Sequence, residues 1–218
     1  MRYSANHKLE TQEKLLQSSA LSAKRSGFST VGVDGLMKAI GLSGAAFYSH
    51  FSSKDALFTA IVERELGQSL ERLGGQEGQD RERLERCLKH YLSMAHVEQP
   101  ESGCALPALG AEIARSDIQV REQAQMWICK LQDSWAQILG SDSLAWSILS
   151  QCVGALVVAR MLATPDVQRK VLESSRDEIG RQISGSHDLF TDDDHAAASV
   201  ASGIEAEWIV AGLLYGIP

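Results

Sequence analysis

The chain has 218 residues, 44% of them hydrophobic and 22% charged, with a formal net charge of −7. That length buries a full core in one large or two small domains, and the apolar share is too high for a disordered chain. Taken whole, the negative balance argues against nucleic acid as a partner. The charge is unevenly placed, however. Residues 1–62 hold seven Lys/Arg against four Asp/Glu, a balance of +3, whereas residues 63–218 hold fourteen against twenty-four, a balance of −10. A mildly basic module on an acidic body suits a chain that meets phosphate at one end only.

The N-terminal MRYSANHKLETQEK lacks the apolar stretch of a secretory signal, so a cytoplasmic protein is expected. The longest uncharged apolar run, residues 144–159, is short for a membrane span and reads as a buried helix, with no membrane partner implied. Cys87, Cys104, Cys129 and Cys152 are far apart, with no CxxC and no paired histidines, which fits free thiols and no metal site. No G-x-S-x-G, P-loop, HExxH or paired-carboxylate pattern occurs, so neither an enzyme nor a cofactor is expected.

The periodicity is helical nearly throughout, which predicts an all-α fold of about nine helices. The first helix spans 9–26, with Leu15, Leu16, Ser19, Ala20 and Ala23 on one stripe and Gly27 as its stop. Phe28 then anchors the chain back on it. A short helix covers 33–40 through Val33, Leu36, Met37 and Ile40; Gly41 ends it, and Ser43 can cap another over 44–50. Ser52 with Asp55 predicts a capping box for a helix running through Leu57, Phe58, Ile61, Leu66, Leu70 and Leu73 to a GGQEG break. Next come helices over 80–97, from about 106 behind Pro107, over 117–139, from a Ser141 cap to 163, and from 164 to about 183. After residue 183 the chain turns polar and acidic and then ends on an apolar piece. That tail can dock on the body, complete a dimer surface or form an extension.

Residues 27–63 carry the function. Two short helices joined at Gly41-Leu42, with a third crossing behind, make a helix-turn-helix. Gly44, Ala45 and Ala46 are small enough at the leading turn of the second helix for close approach to DNA, and that end offers free N–H groups to phosphate. Thr30, Ser43, Tyr48, His50 and Lys54 surround it with groups suited to phosphate oxygens. Phe47 and Phe51, at i and i+4, read as core aromatics, which leaves Tyr48 and His50 for the exposed side.

This segment resembles the TetR-type transcriptional regulators. The resemblance rests on Gly27, Phe28, Thr30, Val33, Leu36, Gly41, Leu42, Ser43, Phe47, Tyr48, His50, Phe51, Ser53, Lys54 and Leu57 at the family's spacings, and covers roughly the first sixty residues. It implies a helix-turn-helix DNA-binding domain over 1–60, an effector-binding and dimerisation domain over 61–183, and leaves 184–218 as an acidic linker with an apolar tail. It also implies that Thr30, Ser43, Tyr48, His50 and Lys54 hold phosphates, while Gly44, Ala45, Ala46 and Ser49 face bases. The family commonly has Lys, Gly and Thr where this chain has Gly44, Ala45 and Ala46. Without that Lys and Thr, readout rests on the Ala46 methyl, Ser49 and DNA shape.

The implied protein is a homodimeric repressor of a palindromic double-stranded DNA operator, released by a small-molecule effector. Leu144, Ile148, Leu149, Cys152, Val153, Leu156, Val157 and Met161 form a stripe too broad for one buried face, with Ile148, Leu149, Cys152, Leu156 and Val157 expected at a dimer interface, where Gly154, Ala155 and Ala159 would let a partner helix approach. Effector candidates are Tyr91, Met94, Cys104, Met126, Trp127 and Trp135, each of which also fits an ordinary core. His90 and His96 read as solvated or hydrogen-bonded rather than metal-bound. Cys104 follows Gly103 just before a helix, where N–H dipoles favour a reactive thiolate, and GCALPALGAE resembles a segment of electrophile- or oxidant-responsive family members. The alternatives are therefore a thiol-based sensor, a small buried Cys104, or a DNA-binding structural protein without an effector.

Overall fold

In this computed structural model, residues 5–74 and 80–185 are described, and they form nine α-helices and two 3₁₀ segments without a strand. The helices are α1 (Ala5–Ser26), α2 (Val33–Ala39), α3 (Lys54–Leu73), α4 (Arg81–Tyr91), α5 (Met94–Glu98), α6 (Leu106–Arg115), α7 (Ile118–Leu139), α8 (Asp142–Met161) and α9 (Pro165–Gly185). The 3₁₀ segments are Gly44–Ser49 and Pro100–Ser102. The expected linker and apolar tail, 184–218, lie outside the described residues from 186 onward, as does the GGQEG break beyond Gly74.

Local signals set most of the boundaries. Gly41 follows α2 at φ +77°, a left-handed conformation that a Cβ disfavours, and its N–H bonds the Lys38 carbonyl at 3.0 Å. Asp117 and Ser141 cap α7 and α8 through their side chains, and Pro107 sits in the first turn of α6.

Three expectations are corrected. The segment after Ser43 is a 3₁₀ helix rather than an α-helix, and Ser43 makes no side-chain cap; its carbonyl takes the Ala46 N–H at 3.0 Å instead. The cap of α3 is Ser53, whose Oγ accepts from Ala56 N at 2.9 Å, so Asp55 falls at the second helical position and no capping box with Ser52 forms. The single helix expected over 80–97 is two, because the chain leaves helical geometry at Leu92 and Ser93 caps α5.

One continuous hydrophobic core runs from the N-terminal helices into the rest of the chain, from Leu15, Met37, Phe47 and Phe58 to Leu88, Trp135, Ile148 and Leu156. α3 is the spine: it starts behind the helix-turn-helix, packs on α1 and continues along α7, so the expected boundary at 60/61 falls inside one unbroken helix. α7 packs on α8, and α6 and α5 pack on α8 as well. By length and composition, α8, of mean hydropathy 1.5, could cross a membrane, but one face of it, with Ala145, Ile148, Leu149, Cys152, Leu156 and Ala159, is buried within the chain.

Candidate nucleic-acid interface and effector cavity

The 3₁₀ period of three sorts the residues of Gly44–Ser49 into rows. Phe47 is completely buried, with Gly44 and His50 half-buried on the same row, while Ala45 and Tyr48 share the exposed row and Ala46 and Ser49 flank it. Phe47 packs edge-on to Tyr48 at 5.3 Å and tilted to Phe51 at 6.1 Å, so the buried aromatics hold the exposed one in place. Tyr48 is 67% exposed and is the most prominent aromatic on the chain's described surface.

Each predicted DNA-facing residue has a definite place. Ser43, Ala45, Tyr48, Ser49 and Thr30 are exposed, and Gly44, Ala46, His50 and Lys54 are half-buried. Thr30 Oγ1 donates to the carbonyls of Gly27 at 2.8 Å and Ser26 at 3.1 Å, and Ser49 Oγ donates to Ala46 at 2.7 Å. These hydroxyls therefore shape the backbone while their oxygens remain acceptors. Lys54 lies over the Phe28 ring at 4.8 Å and donates to the Ser29 carbonyl at 3.4 Å. His50 has a buried, unpartnered Nδ1, and burial, followed by the charge of Lys8, lowers its pKa. Asp34 escaped the sequence reading: a Cβ on Gly44 would lie 1.7 Å from its Oδ1, so this glycine is small because of α2 as well as for approach to DNA.

Among the effector candidates, only Tyr91 and Cys104 line the large cavity of about 570 Å3. Trp135 is buried, with Nε1 donating to the Leu73 carbonyl at 2.8 Å, and Trp127 packs beside Gly67 under Lys130. Met126 is exposed and Met94 packs partly buried on the core, neither of them at the cavity. The rest of the wall is Ser69, Arg72 and Leu73 of α3, Arg83, Arg86, Cys87 and His90 of α4, and Ser93, Ala95, His96, Ser102 and Gly103.

The inner wall is tightly wired. His96 accepts the Cys104 N–H on Nε2 at 3.0 Å, which leaves Nδ1–H to donate to the Tyr91 carbonyl at 2.8 Å. Both ring nitrogens are spent, so this neutral histidine braces the wall. Burial is the main cause of its lowered pKa; the bond to Tyr91 opposes it, and Arg160, Lys24 and Arg72 reinforce it. A Cβ on Gly103 would stand 2.1 Å from the His96 ring, so glycine is required where the chain passes it. Burial, and then the neighbouring Cys104, push the Tyr91 hydroxyl well above its ordinary value. Cys104 is buried and accepts from Ser69 Oγ at 3.5 Å; Cys152 is also buried, and burial pushes its thiol up to about 12.

One link joins this wall to α1, and a second joins α6 to the start of the helix-turn-helix. Lys24 of α1 is buried, pairs with the buried Glu65 of α3 at 2.5 Å, and donates to the Gly103 carbonyl at 3.1 Å. Glu112 of α6 takes the N–H groups of Phe28 and Ser29, both at 2.9 Å, and the Ser29 hydroxyl at 2.7 Å. Burial works to raise that carboxyl, but these three donors and Arg115 overcome it and leave the pKa lowered.

Of the expected dimer-forming residues, Ile148, Leu149, Cys152 and Leu156 are buried inside the chain, and Val157 is on its surface. The apolar surface that α8 leaves uncovered is Trp146, Val157, Val158 and Met161, the last 77% exposed. No group of three metal-ligating side chains occurs among the described residues.

Residues 16–61 match the model of the bacterial regulatory proteins of the tetR family. Similar solved structures include a TetR transcriptional regulator from Chloroflexus aurantiacus, 21% identical with a TM-score of 0.67, covering 82% of this chain and 96% of that one. The TetR-family regulator of Cytophaga hutchinsonii is 19% identical with a TM-score of 0.65, covering 85% and 98%. The reduced form of Escherichia coli NemR is 21% identical with a TM-score of 0.66, covering 78% and 95%. No curated protein matches the chain.

Proposed function

We propose that this chain, which belongs to the tetR family of bacterial transcriptional regulators by its N-terminal module, is a homodimeric repressor whose DNA binding is controlled by a small molecule in the 570 Å3 cavity. The observation that carries the control is Lys24. Its ammonium joins α1, the helix that braces the helix-turn-helix, to the Gly103 carbonyl on the cavity wall. A ligand that shifts the Gly103–Cys104 strip pulls on Lys24 and on its buried partner Glu65, and so changes the tilt of the reading head. On the DNA side, Tyr48 and Ser49 meet phosphate or base edges, with Thr30, Ser43, His50 and Lys54 around them. The close approach of Gly44, Ala45 and Ala46 supplies shape rather than hydrogen bonds. The exposed α8 row of Trp146, Val157, Val158 and Met161 supplies the second protomer's contact and sets the spacing of two heads for a palindrome.

Selection of bound duplexes from a random pool, followed by affinity measurements across a salt series, tests this reading. A palindromic site, two protomers per duplex and a linear fall of log affinity with log salt are expected. Recovery of no common sequence would leave a non-specific structural DNA binder in its place.

A second reading has its own observation: Cys104 lines the cavity beside Tyr91 and Ser69. An α,β-unsaturated carbonyl compound entering there would form an Sγ–C bond, with the thiol proton ending on the α-carbon, and no oxidant is consumed. Release of the selected operator by such a reagent from wild type but not from Cys104→Ser supports it; equal release from both ends it.

A further inference from the structure

Helix α4 has two stripes, one buried in the core and one largely exposed along the cavity. Leu84, Leu88 and Tyr91 enter the core, whereas Arg83, Arg86, Cys87 and His90, at i, i+3, i+4 and i+7, form one wall of the cavity. Arg72, from the last turn of α3, joins them on the lining. Among the described residues, that lining contains three arginines and no carboxylate, although residues 63–218 carry a balance of −10. Arg86 is partly offset by Glu82 at 3.6 Å, whereas Arg83 and Arg72 have no carboxylate partner among the described residues. Arg72 Nε is held by the Gln68 carbonyl at 3.2 Å.

Behind the inner wall stands a further cation with no carboxylate paired to it among the described residues. Arg160 of α8 donates to the His96 carbonyl at 2.7 Å, and its Nε and Nη1 are buried without a partner. A guanidinium taken from water without a counter-ion is costly, and a negative charge in the neighbouring cavity relieves that cost. The remaining wall places Tyr91, Leu73, Ala95 and the thiols of Cys87 and Cys104 beside uncharged polar groups of Ser69, Ser93, Ser102, His90 and His96. The volume is of the size that takes a drug-sized ligand.

We infer that the cavity binds an amphipathic organic anion, its acid group held by Arg72 and Arg83 and its apolar part against Tyr91, Leu73 and Ala95. The inference rests on the reading of this cavity as the effector site and names the chemical class of that effector. A neutral compound of the same shape leaves the arginines solvated and Arg160 uncompensated, so it binds more weakly.

The test uses two fluorescent probes that differ in one charged group, 1-anilinonaphthalene-8-sulfonate and the neutral N-phenyl-1-naphthylamine. Full-length wild type is expected to bind the sulfonate about tenfold more tightly, with an advantage that shrinks as salt rises. The double variant Arg72→Gln/Arg83→Gln, changed only at exposed side chains, loses about tenfold in sulfonate affinity and little for the neutral probe. Cys87→Trp fills the cavity and abolishes both signals. Equal affinities for the two probes, an unchanged sulfonate affinity in the double variant, or sulfonate binding that survives Cys87→Trp would each overturn the inference. Charge-selective binding that leaves the affinity for the selected operator unaltered confirms the anion site and instead removes its regulatory role.

Discussion

The DNA-facing segment and the cavity are built in opposite ways. The first is a run of consecutive residues, Ser43 to His50, whose exposure follows from a three-residue period over one buried phenylalanine. The second is assembled from α3 on one side and from α4, α5 and the 102–104 strip on the other, brought together across the stretch between α3 and α4 and by the wiring of His96 to Cys104. A site made of neighbours tolerates change elsewhere in the chain. A site made of distant pieces depends on the struts that hold them, and here the struts are Lys24, Glu65, His96 and Gly103.

Breaking the main strut has the largest expected effect. Lys24→Met leaves the buried Glu65 carboxylate with only the distant Arg64, 4.0 Å away, and urea unfolding should show a loss of about 3 kcal/mol. The double variant Lys24→Met/Glu65→Met recovers most of it, because the charge and its partner are removed together. Gly103→Ala comes next. Its new methyl drives the His96 ring from the two bonds it makes, and a loss of about 1–3 kcal/mol is expected from the same measurement.

His96 also gives the cavity wall a pH signature. Its folded-state pKa is lowered from 6.5, chiefly by burial. Its contribution is therefore complete above 6.5 and is lost as the pH falls, because the unfolded chain takes up a proton that the folded one refuses. Unfolding midpoints measured between pH 8 and 5 should fall with acid in wild type and less steeply in His96→Gln. The smallest effect belongs to the DNA-facing surface. Tyr48→Phe removes one exposed hydroxyl, so operator affinity drops about fivefold, the worth of one hydrogen bond, while thermal stability stays put. A large stability loss at Tyr48, or none at Lys24, would erase the contrast between the two regions.

The same contrast explains what was legible beforehand. Gly27, Gly41 and Gly140 mark helix ends, and all three have positive φ, because a left-handed residue is a local demand that one glycine can announce. The burial of both Phe47 and Phe51 was equally readable from spacing. Ser52 misled because the neighbouring Ser53 took the cap of α3, and Ser43 because the segment after it is a 3₁₀ helix that starts from the Ser43 carbonyl without a side-chain cap. The break at Leu92–Ser93 was hidden by apolar residues spaced as though one helix continued through it. On α8, a stripe read as too broad for one chain is partly filled by α7, α6 and α5, which buries Ile148, Leu149, Cys152 and Leu156 and leaves Val157 and Met161 uncovered beside Trp146 and Val158. The arginines of α4 look like any solvated face until α3 and the 102–104 strip are brought opposite them. Lys24 offered no signal, since a lone lysine next to a buried stripe usually reaches water.

The central claim is that cavity and reading head share one equilibrium. The direct measurement is the affinity of the protein for its selected operator with and without saturating 1-anilinonaphthalene-8-sulfonate, paired with the affinity for that probe with and without saturating operator. Linkage requires the two ratios to be equal. A several-fold weakening is expected in both directions, and it should disappear in Lys24→Met/Glu65→Met. An operator affinity that is the same with the cavity full and empty would contradict it.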